Sequence, residues 1–241
     1  MNDLTLITCS YNTPDIILTM LKSFHQSNNT CDKLVIIENS TNDETAKILK
    51  ENNIPFYVPG TRRHSEGVQA AFDICTTKYA LLVDTDIIFK KDVDPVLKQC
   101  KENDISLLGE VCGNRGGRVI NTRIHPWFCF INIDNIKKYN IKFWDSRRFG
   151  NGYDVGCSFF EDIRKNGLNV GDIKMDPFYY THYEGMSWRT QTYDPTKPDT
   201  GIDNGGTHPF IEYFNAGNRT KRIYDSETAY LRPINIKNIF K

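Results

Sequence analysis

The stretch Tyr79-Ala-Leu-Leu-Val-Asp84-Thr85-Asp86 carries most of what can be predicted for this chain. Its apolar part, Tyr79–Val83, has the length of a buried strand, and two carboxylates one residue apart follow it directly. Carboxylate oxygens are the ligands that hard cations such as Mg²⁺ and Mn²⁺ prefer, and such a cation can bridge a carboxylate to a diphosphate. The stretch therefore predicts a strand that ends in a metal site, although an Asp-x-Asp pair taken alone is more often a solvated turn.

Strands and helices are predicted to alternate on the amino-terminal side of this stretch. The pattern predicts strands at residues 4–9, 33–38 and 54–58, and helices at residues 15–27, 43–50 and 66–75. Thr13 and Asp43 are expected to cap the first two helices. Such alternation favours a mostly parallel sheet with helices on both faces, in which ligands bind beyond the carboxyl ends of the strands. The polar residues that follow Cys9, Ile37 and Val83 should therefore meet at that edge.

The carboxyl-terminal half is less regular. The predicted elements are a helix at residues 93–101 and strands at residues 105–108 and 127–133. Asp154 can cap a further helix that runs to about residue 166, with Gly167 as its C-terminal cap. Residues 113–118 are predicted to form a basic, glycine-rich loop, and residues 190–208 are predicted to be either a surface loop or a mobile lid. We find no repeat and no interdomain linker, so residues 1–241 are predicted to form a single domain.

Composition narrows the classes of protein to consider. The 241 residues contain 30 Lys and Arg against 30 Asp and Glu, and this balance disfavours a nucleic-acid partner. The seven cysteines include no C-x-x-C pair, so reduced and mostly buried thiols are expected. The first residues lack the pattern of a signal peptide, and no apolar run is long enough to span a bilayer. We therefore expect a cytoplasmic protein with no transmembrane segment.

Two further segments give the Asp-x-Asp pair its context. The first strand continues into Thr8-Cys9-Ser10-Tyr11-Asn12, and the second into Ile37-Glu38-Asn39-Ser40-Thr41-Asn42-Asp43. Together with Gly67-Val-Gln-Ala-Ala-Phe and Asp84-Thr85-Asp86, these segments resemble the first hundred residues of family 2-like GT-A glycosyltransferases. The second strand of that family usually ends in a run like Asp-Asn-Gly-Ser-Thr-Asp, where this chain has Glu38 for the first aspartate and Ser40 for the glycine.

This resemblance implies the GT-A fold, a central mostly parallel sheet flanked by helices, with a nucleotide-sugar site in residues 1–100 and an acceptor site in residues 101–241. It also implies a role for each matching residue of the donor site. Thr8 and Tyr11 would line the nucleoside pocket, Glu38 would contact the base, Arg62 or Arg63 would approach the donor, Asp84 and Thr85 would face the donor, and Asp84 and Asp86 would ligate Mn²⁺ or Mg²⁺. A solvated basic loop is an equally good interpretation of the two arginines.

Two matches in the carboxyl-terminal half complete the resemblance. Phe143-Trp-Asp145 and Gly152-Tyr153-Asp154 resemble the acceptor-side segment, which implies that Asp154 is the general base of an inverting transfer; the alternative is a plain N-cap. Glu161 and Asp162 are reserve candidates for the general base. His182-Tyr-Glu-Gly185-Met-Ser187 resembles the late His-x-x-Gly-x-Ser element, which implies that His182 is a third metal ligand. His208, after the flexible segment, is a weaker alternative that could contact phosphate when a lid closes.

Three aromatic side chains are candidates for contacts with the acceptor or donor. His125 and Trp127, which follow Arg123, begin a predicted strand on the acceptor side, and aromatic rings stack well on sugars. Core packing is the other interpretation of Trp127. Trp188 would either cover the donor or anchor the loop that follows His182.

The predicted function is metal-dependent transfer of a hexosyl or pentosyl group from a nucleoside-diphosphate sugar, most often UDP in that family, to a hydroxyl of a glycan or related acceptor. A nucleotidyltransferase that makes nucleotide sugars is the main alternative. That class opens with a glycine-rich phosphate loop after the first strand, where this chain has Ser10-Tyr11-Asn12-Thr13-Pro14. A retaining transferase and an inactive carbohydrate-binding domain of the same fold are further alternatives.

Overall fold

Except at residues 54–58, the alternation predicted for the amino-terminal half is present in the computed structural model of the protein, which describes residues 3–14, 16–60, 63–112, 122–143 and 155–183. The strands of these residues are β1 Leu4–Ser10, β2 Lys33–Glu38, β3 Tyr79–Val83, β4 Ile87–Phe89, β5 Ile105–Cys112, β6 Arg123–Asn132, β7 Asn169–Asp172 and β8 Tyr180–His182. The helices are α1 Ile17–Gln26, α2 Glu44–Glu51, α3 His64–Ile74, α4 Asp94–Glu102, α5 Ile133–Lys138 and α6 Cys157–Lys165.

Within the described residues, six strands form the central sheet in the order β2-β1-β3-β6-β5-β7. Strand β1 is parallel to both β2 and β3, β7 is parallel to β5, and β6 is antiparallel to its two neighbours. The register places Ser10 opposite Glu38 and Thr8 opposite Val83, so the carboxyl ends of β1, β2 and β3 lie side by side. The predicted fold class, a mostly parallel sheet with helices, is confirmed.

Helices cover both faces of this sheet. Side chains of a strand alternate between its two faces, so Leu4 and Leu6 of β1 belong to one hydrophobic cluster while Ile7 and Cys9 belong to the other. Buried side chains of α1, α2 and α4 complete the first cluster, and those of α3, α5 and α6 complete the second. The sheet is thereby held between two apolar layers, and its polar strand ends lie at the edge.

A smaller sheet lies beside the end of β3. It pairs β4 with β8 in antiparallel register, and the pair Ile87–His182 is at its start. Only Asp84, Thr85 and Asp86 separate the last residue of β3 from the first residue of β4. This arrangement brings the late segment around His182 next to the Asp-x-Asp pair.

The predicted strand at residues 54–58 is wrong. Only Tyr57 forms a bridge, to Ile37 next to the end of β2; its N–H donates to the carbonyl of Ile36 (2.8 Å), and its carbonyl accepts from the N–H of Glu38 (2.7 Å). Pro55 has no N–H for a ladder, and although Ile54 is buried, Tyr57 is 51% and Val58 is 73% exposed, so the second half of the segment is not covered by a neighbouring layer.

Two predicted helix starts also need correction. Helix α1 begins at Ile17 without a side-chain cap, and the N–H of Thr13 donates to the hydroxyl oxygen of Thr45 (3.0 Å). Helix α2 does begin after Asp43, again without a cap from that side chain. At α2 the side-chain oxygen of Asn42 instead accepts a hydrogen bond from the N–H of Glu44, the first residue of the helix (3.2 Å).

Helix α6 begins at Cys157, and its N-cap is Gly156 at φ 87°, so the predicted cap at Asp154 is wrong. Glycine adopts this left-handed backbone without the steric cost that other residues carry, which explains the late start. Gly167, at φ 69° beyond the last turn, confirms the predicted C-terminal glycine.

The predicted loops at residues 113–118 and 190–208 lie outside the described residues. No helix among the described residues is long and apolar enough to cross a membrane.

Candidate metal and nucleotide site

Asp84, Asp86 and His182 come together at the end of β3. Pairing of β4 with β8 holds His182 beside Asp86, since Ile87 lies opposite His182 and the N–H of Tyr183 donates to the carbonyl of Asp86 (2.9 Å). The His182 Nε2 lies 3.3 Å from Asp86 Oδ1, and the ligand atoms of all three residues lie within 4.8 Å of one another. Two carboxylate oxygens and one imidazole nitrogen form a donor set that suits Mn²⁺.

The electrostatics of Asp84 fit a cation at this position. Burial raises the pKa of this carboxyl, the negative charge of Asp86 raises it further, and His64 and His182 lower it. A divalent ion between the two carboxylates would offset both the desolvation and the repulsion, because it is the largest local charge in such a site. The donor atoms and the charge pattern of this cluster therefore both fit a divalent metal.

A second polar cluster lies at the ends of β1 and β2. Glu38 is 5% exposed, and each of its carboxylate oxygens accepts a hydrogen bond: one from the hydroxyl of Ser10 and one from the N–H of Ser40 (2.8 Å). Hydrogen bonds to a charged acceptor are about twice as strong as neutral ones. Glu38 thus joins the end of β1 to the turn after β2.

Asn12 connects the same two turns from the other side. Its backbone is left-handed (φ 52°), which asparagine tolerates better than most residues. Its N–H donates to the Ser40 hydroxyl oxygen (2.8 Å), and its side-chain oxygen accepts from the N–H of Thr41 (3.0 Å). The sequence prediction missed this role of Asn12 and Ser40, which an asparagine in a turn after a strand could have indicated.

Two buried polar atoms in this cluster have no hydrogen-bond partner among the described residues: the Thr8 hydroxyl oxygen and the Asn39 side-chain oxygen. Thr8 is fully buried and Asn39 is 4% exposed. A buried polar atom without a partner costs free energy, so it is uncommon unless water or a ligand completes it. Both residues lie at strand ends where the sheet architecture predicts a ligand.

Of the remaining predicted site residues, the structure describes Tyr11, Thr85 and Arg63. Tyr11 follows β1 and is half-buried, and Thr85 is buried between the two aspartates. Arg63 is exposed directly before α3, where its guanidinium lies 3.4 Å from the Glu66 carboxylate. The residues outside the described part of the chain are Arg62, Asp145, Asp154, Trp188 and His208.

One candidate of the acceptor half, Trp127, lies against the metal-ligand cluster. The rings of His125 and Trp127 stack at 3.8 Å, and the ring of Trp127 lies 4.8 Å from that of His182. On α6, the Glu161 carboxylate lies 3.7 Å from the ammonium group of Lys165, an arrangement typical of a solvated helix face.

All seven cysteines are free thiols and six of them are buried, as expected.

A mostly parallel sheet with helices on both faces and a carboxylate cluster at its strand ends is the arrangement of the GT-A nucleotide-sugar transferases. Residues 5–163 match the family model described as Glycosyl transferase family 2. This stretch is more than half of the chain. The chain therefore belongs to glycosyl transferase family 2. No curated protein matches the sequence.

Solved structures with the same fold include three enzymes of low sequence identity. TarS residues 1–349 of S. aureus, in complex with UDP, is 18% identical with a TM-score of 0.52, over 74% of this chain and 59% of that one. The mannosyltransferase PcManGT from Pyrobaculum calidifontis, with GDP-Man and Mn²⁺, is 12% identical with a TM-score of 0.52, over 72% and 55%. Glucosyl-3-phosphoglycerate synthase from Mycobacterium tuberculosis, with phosphoglyceric acid, is 15% identical with a TM-score of 0.51, over 74% and 71%.

At these identities the likeness shows the fold alone. The alignments span 59% and 55% of the first two relatives, so those proteins are considerably longer than the part this chain matches.

Proposed function

We propose that this transferase moves a sugar from a nucleoside-diphosphate sugar to a hydroxyl of a glycan or related acceptor, with Mn²⁺ or Mg²⁺ as its cofactor. The observation that carries the proposal is the Asp84–Asp86–His182 cluster, whose ligand atoms lie within 4.8 Å of one another at the strand ends. The solved relatives that contain UDP, and GDP-Man with Mn²⁺, support a nucleotide-sugar donor. UDP is the first nucleotide to test.

Each cluster has a task in this proposal. Thr8 and Asn39 have buried atoms that can bond a nucleoside, while Tyr11 follows the end of β1 and Glu38 holds the surrounding turns. Asp84, Asp86 and His182 would hold the cation, and Arg63 or Arg62 would approach the donor from the loop before α3. The cation, when bound, neutralises negative charge on the departing diphosphate.

Transfer itself requires a base, and we assign that role to Asp154. Its carboxylate accepts the proton of the acceptor hydroxyl while that oxygen bonds to the anomeric carbon. The bond from this carbon to the diphosphate breaks, and the nucleoside diphosphate leaves with the electron pair, so the configuration inverts. Support comes from Gly156, which is two residues after Asp154 in the sequence. A Cβ at Gly156 would lie 3.8 Å from Pro126, and the next residue, Trp127, contacts the predicted metal ligand His182.

Donor binding can be tested by thermal unfolding with Mn²⁺ and a panel of UDP, GDP, CDP and dTDP. A ligand at one hundred times its Kd adds about 2.7 kcal/mol of stability, which raises the Tm of a domain of this size by roughly 5–10 °C. Asp86→Asn should abolish the metal-dependent part of this shift. Asp73→Asn is the matched control, because that carboxylate is 56% exposed on α3 and pairs with Lys142. No shift with any pair would contradict the proposal.

The mechanism needs a separate test. Asp154→Asn should keep the Mn²⁺-dependent Tm shift and lose transfer to acceptor, and NMR of the wild-type product should show inverted anomeric configuration. Near-native turnover of the variant, or a retained configuration, would overturn the assignment of Asp154. Binding without any transfer would favour an inactive domain, and release of pyrophosphate from a nucleoside triphosphate and a sugar phosphate would favour a nucleotidyltransferase.

A further inference from the structure

Strand β6 is irregular next to the metal-ligand cluster. Gly109 and Val111 of β5, two residues apart, pair with Cys129 and Ile124 of β6, five residues apart. Four residues of β6, at positions 125–128, therefore lie opposite a single residue of β5, at position 110. Pro126 lies in this segment, and proline inside a sheet is found at edges or bulges because it cannot donate to the ladder. Bulges occur often beside active sites, where they redirect side chains.

The bulge directs Trp127 toward the metal ligands. Its carbonyl accepts a hydrogen bond from the N–H of Asp84 (3.0 Å), and its ring lies 4.8 Å from the ring of His182 at an angle of 32°. The indole N–H of Trp127 donates a hydrogen bond to the hydroxyl oxygen of Tyr180. The ring of His125 stacks on it at 3.8 Å. One side chain is thus held at several points and touches a predicted metal ligand.

The partners of Trp127 on β8 explain how the contact is maintained. Tyr180 and His182 are two residues apart, so their side chains extend from the same face of that strand. Tyr180 is 1% exposed and stacks on Phe128 at 4.2 Å, which fixes it in the core. The indole ring is therefore anchored at its N–H end while it lies against the imidazole of His182.

We propose that Trp127 is a positioning residue that holds the His182 imidazole in the orientation needed for metal binding. This inference rests on the metal site of the proposed function. It differs from the role of an acceptor contact, because it ties Trp127 to the affinity for the metal in the absence of any acceptor. Residues that orient metal ligands change metal affinity by roughly 10–100-fold when they are replaced.

The test is a titration of the protein with Mn²⁺, followed by the electron paramagnetic resonance signal of the free ion, without and with UDP. Trp127→Leu removes the ring that lies against His182, whereas Trp127→Phe keeps a ring there. The matched control is Phe130→Leu. Phe130 is 1% exposed, lies in β6 like Trp127, and belongs to the hydrophobic cluster against which Trp127 packs; its ring centroid lies 6.4 Å from that of Phe128. That variant reports the effect of losing a core ring.

We expect Trp127→Leu to weaken Mn²⁺ binding about 10-fold, Trp127→Phe to recover most of that loss, and Phe130→Leu to bind as the wild type does. Equal Mn²⁺ affinity of Trp127→Leu and wild type would overturn the inference, as would equal weakening in Trp127→Leu and Phe130→Leu. If the wild type binds no Mn²⁺ with or without UDP, the metal site itself fails, which is a separate result from either of these.

Discussion

Gly67 offers a quantitative test of how tightly α3 packs on the ends of β1 and β2. A Cβ at this position would lie 2.9 Å from Cys9 Sγ and 3.3 Å from Ile37 Cγ2. The first distance is roughly 0.6 Å shorter than an ordinary contact of about 3.5 Å. Overpacking of this kind costs about 1–3 kcal/mol, and replacing glycine by alanine within a helix returns up to about 1 kcal/mol. Gly67→Ala should therefore destabilise the protein by up to about 2 kcal/mol.

Urea unfolding of four proteins measures this cost and its origin: wild type, Gly67→Ala, Cys9→Ala and the double variant. Removing the Cys9 sulfur relieves the shortest contact, so the double variant should be more stable than the sum of the single effects by about 1 kcal/mol. Gly60→Ala is the control, because a Cβ there meets no described atom within 4 Å, and its free energy of unfolding should change by less than about 0.5 kcal/mol. Stabilisation by Gly67→Ala, or additive effects, would refute this account of the packing.

Three further predictions concern stability at other positions. Glu38→Gln keeps the side-chain length but loses the charge that accepts from Ser10 and Ser40, so urea unfolding should show a loss of about 1–2 kcal/mol; an unchanged value would contradict the role given to Glu38. Gly167→Ala places a Cβ at φ 69° and should cost about 1 kcal/mol, and Gly167→Asn less, whereas equal stability of all three proteins would contradict the left-handed cap. Burial raises the pKa of the Cys100 thiol from 9.0 to about 12, so its contribution to stability is complete below pH 9 and is lost as the pH rises toward 12. Between pH 8 and pH 10 the wild type should therefore lose about 1 kcal/mol more than Cys100→Ala, and parallel pH profiles would contradict this.

The parts of the fold that could be predicted are those with local signals. The bounds of β2 and β3 agree with prediction because each is a continuous apolar run with polar residues at its carboxyl end. The segment at residues 54–58 has the same apolar character and begins with the buried Ile54, but Tyr57 and Val58 are exposed, so no layer covers its second half. Whether a short apolar run becomes a strand depends on neighbours that the local sequence does not reveal.

The candidate site shows the same division. The Asp84 and Asp86 pair is a local signal, and the resemblance to family 2 supplied His182 as their predicted partner, which the pairing of β4 with β8 brings to 3.3 Å from Asp86. The contact between Trp127 and His182 could not be predicted, because it depends on a bulge that exists only in the pairing of β6 with β5. The roles of these residues in binding and catalysis stay predictions.

The central claim is that glycosyl transfer by this chain depends on a metal held at Asp84, Asp86 and His182. The most direct measurement is the release of nucleoside diphosphate from a panel of nucleotide sugars, with and without a chelator. We predict release from at least one nucleotide sugar, its loss on exhaustive chelation, and its recovery when Mn²⁺ is added to the wild type but not to Asp86→Asn. Release that continues unchanged in the chelated protein, or in Asp86→Asn, would contradict the claim.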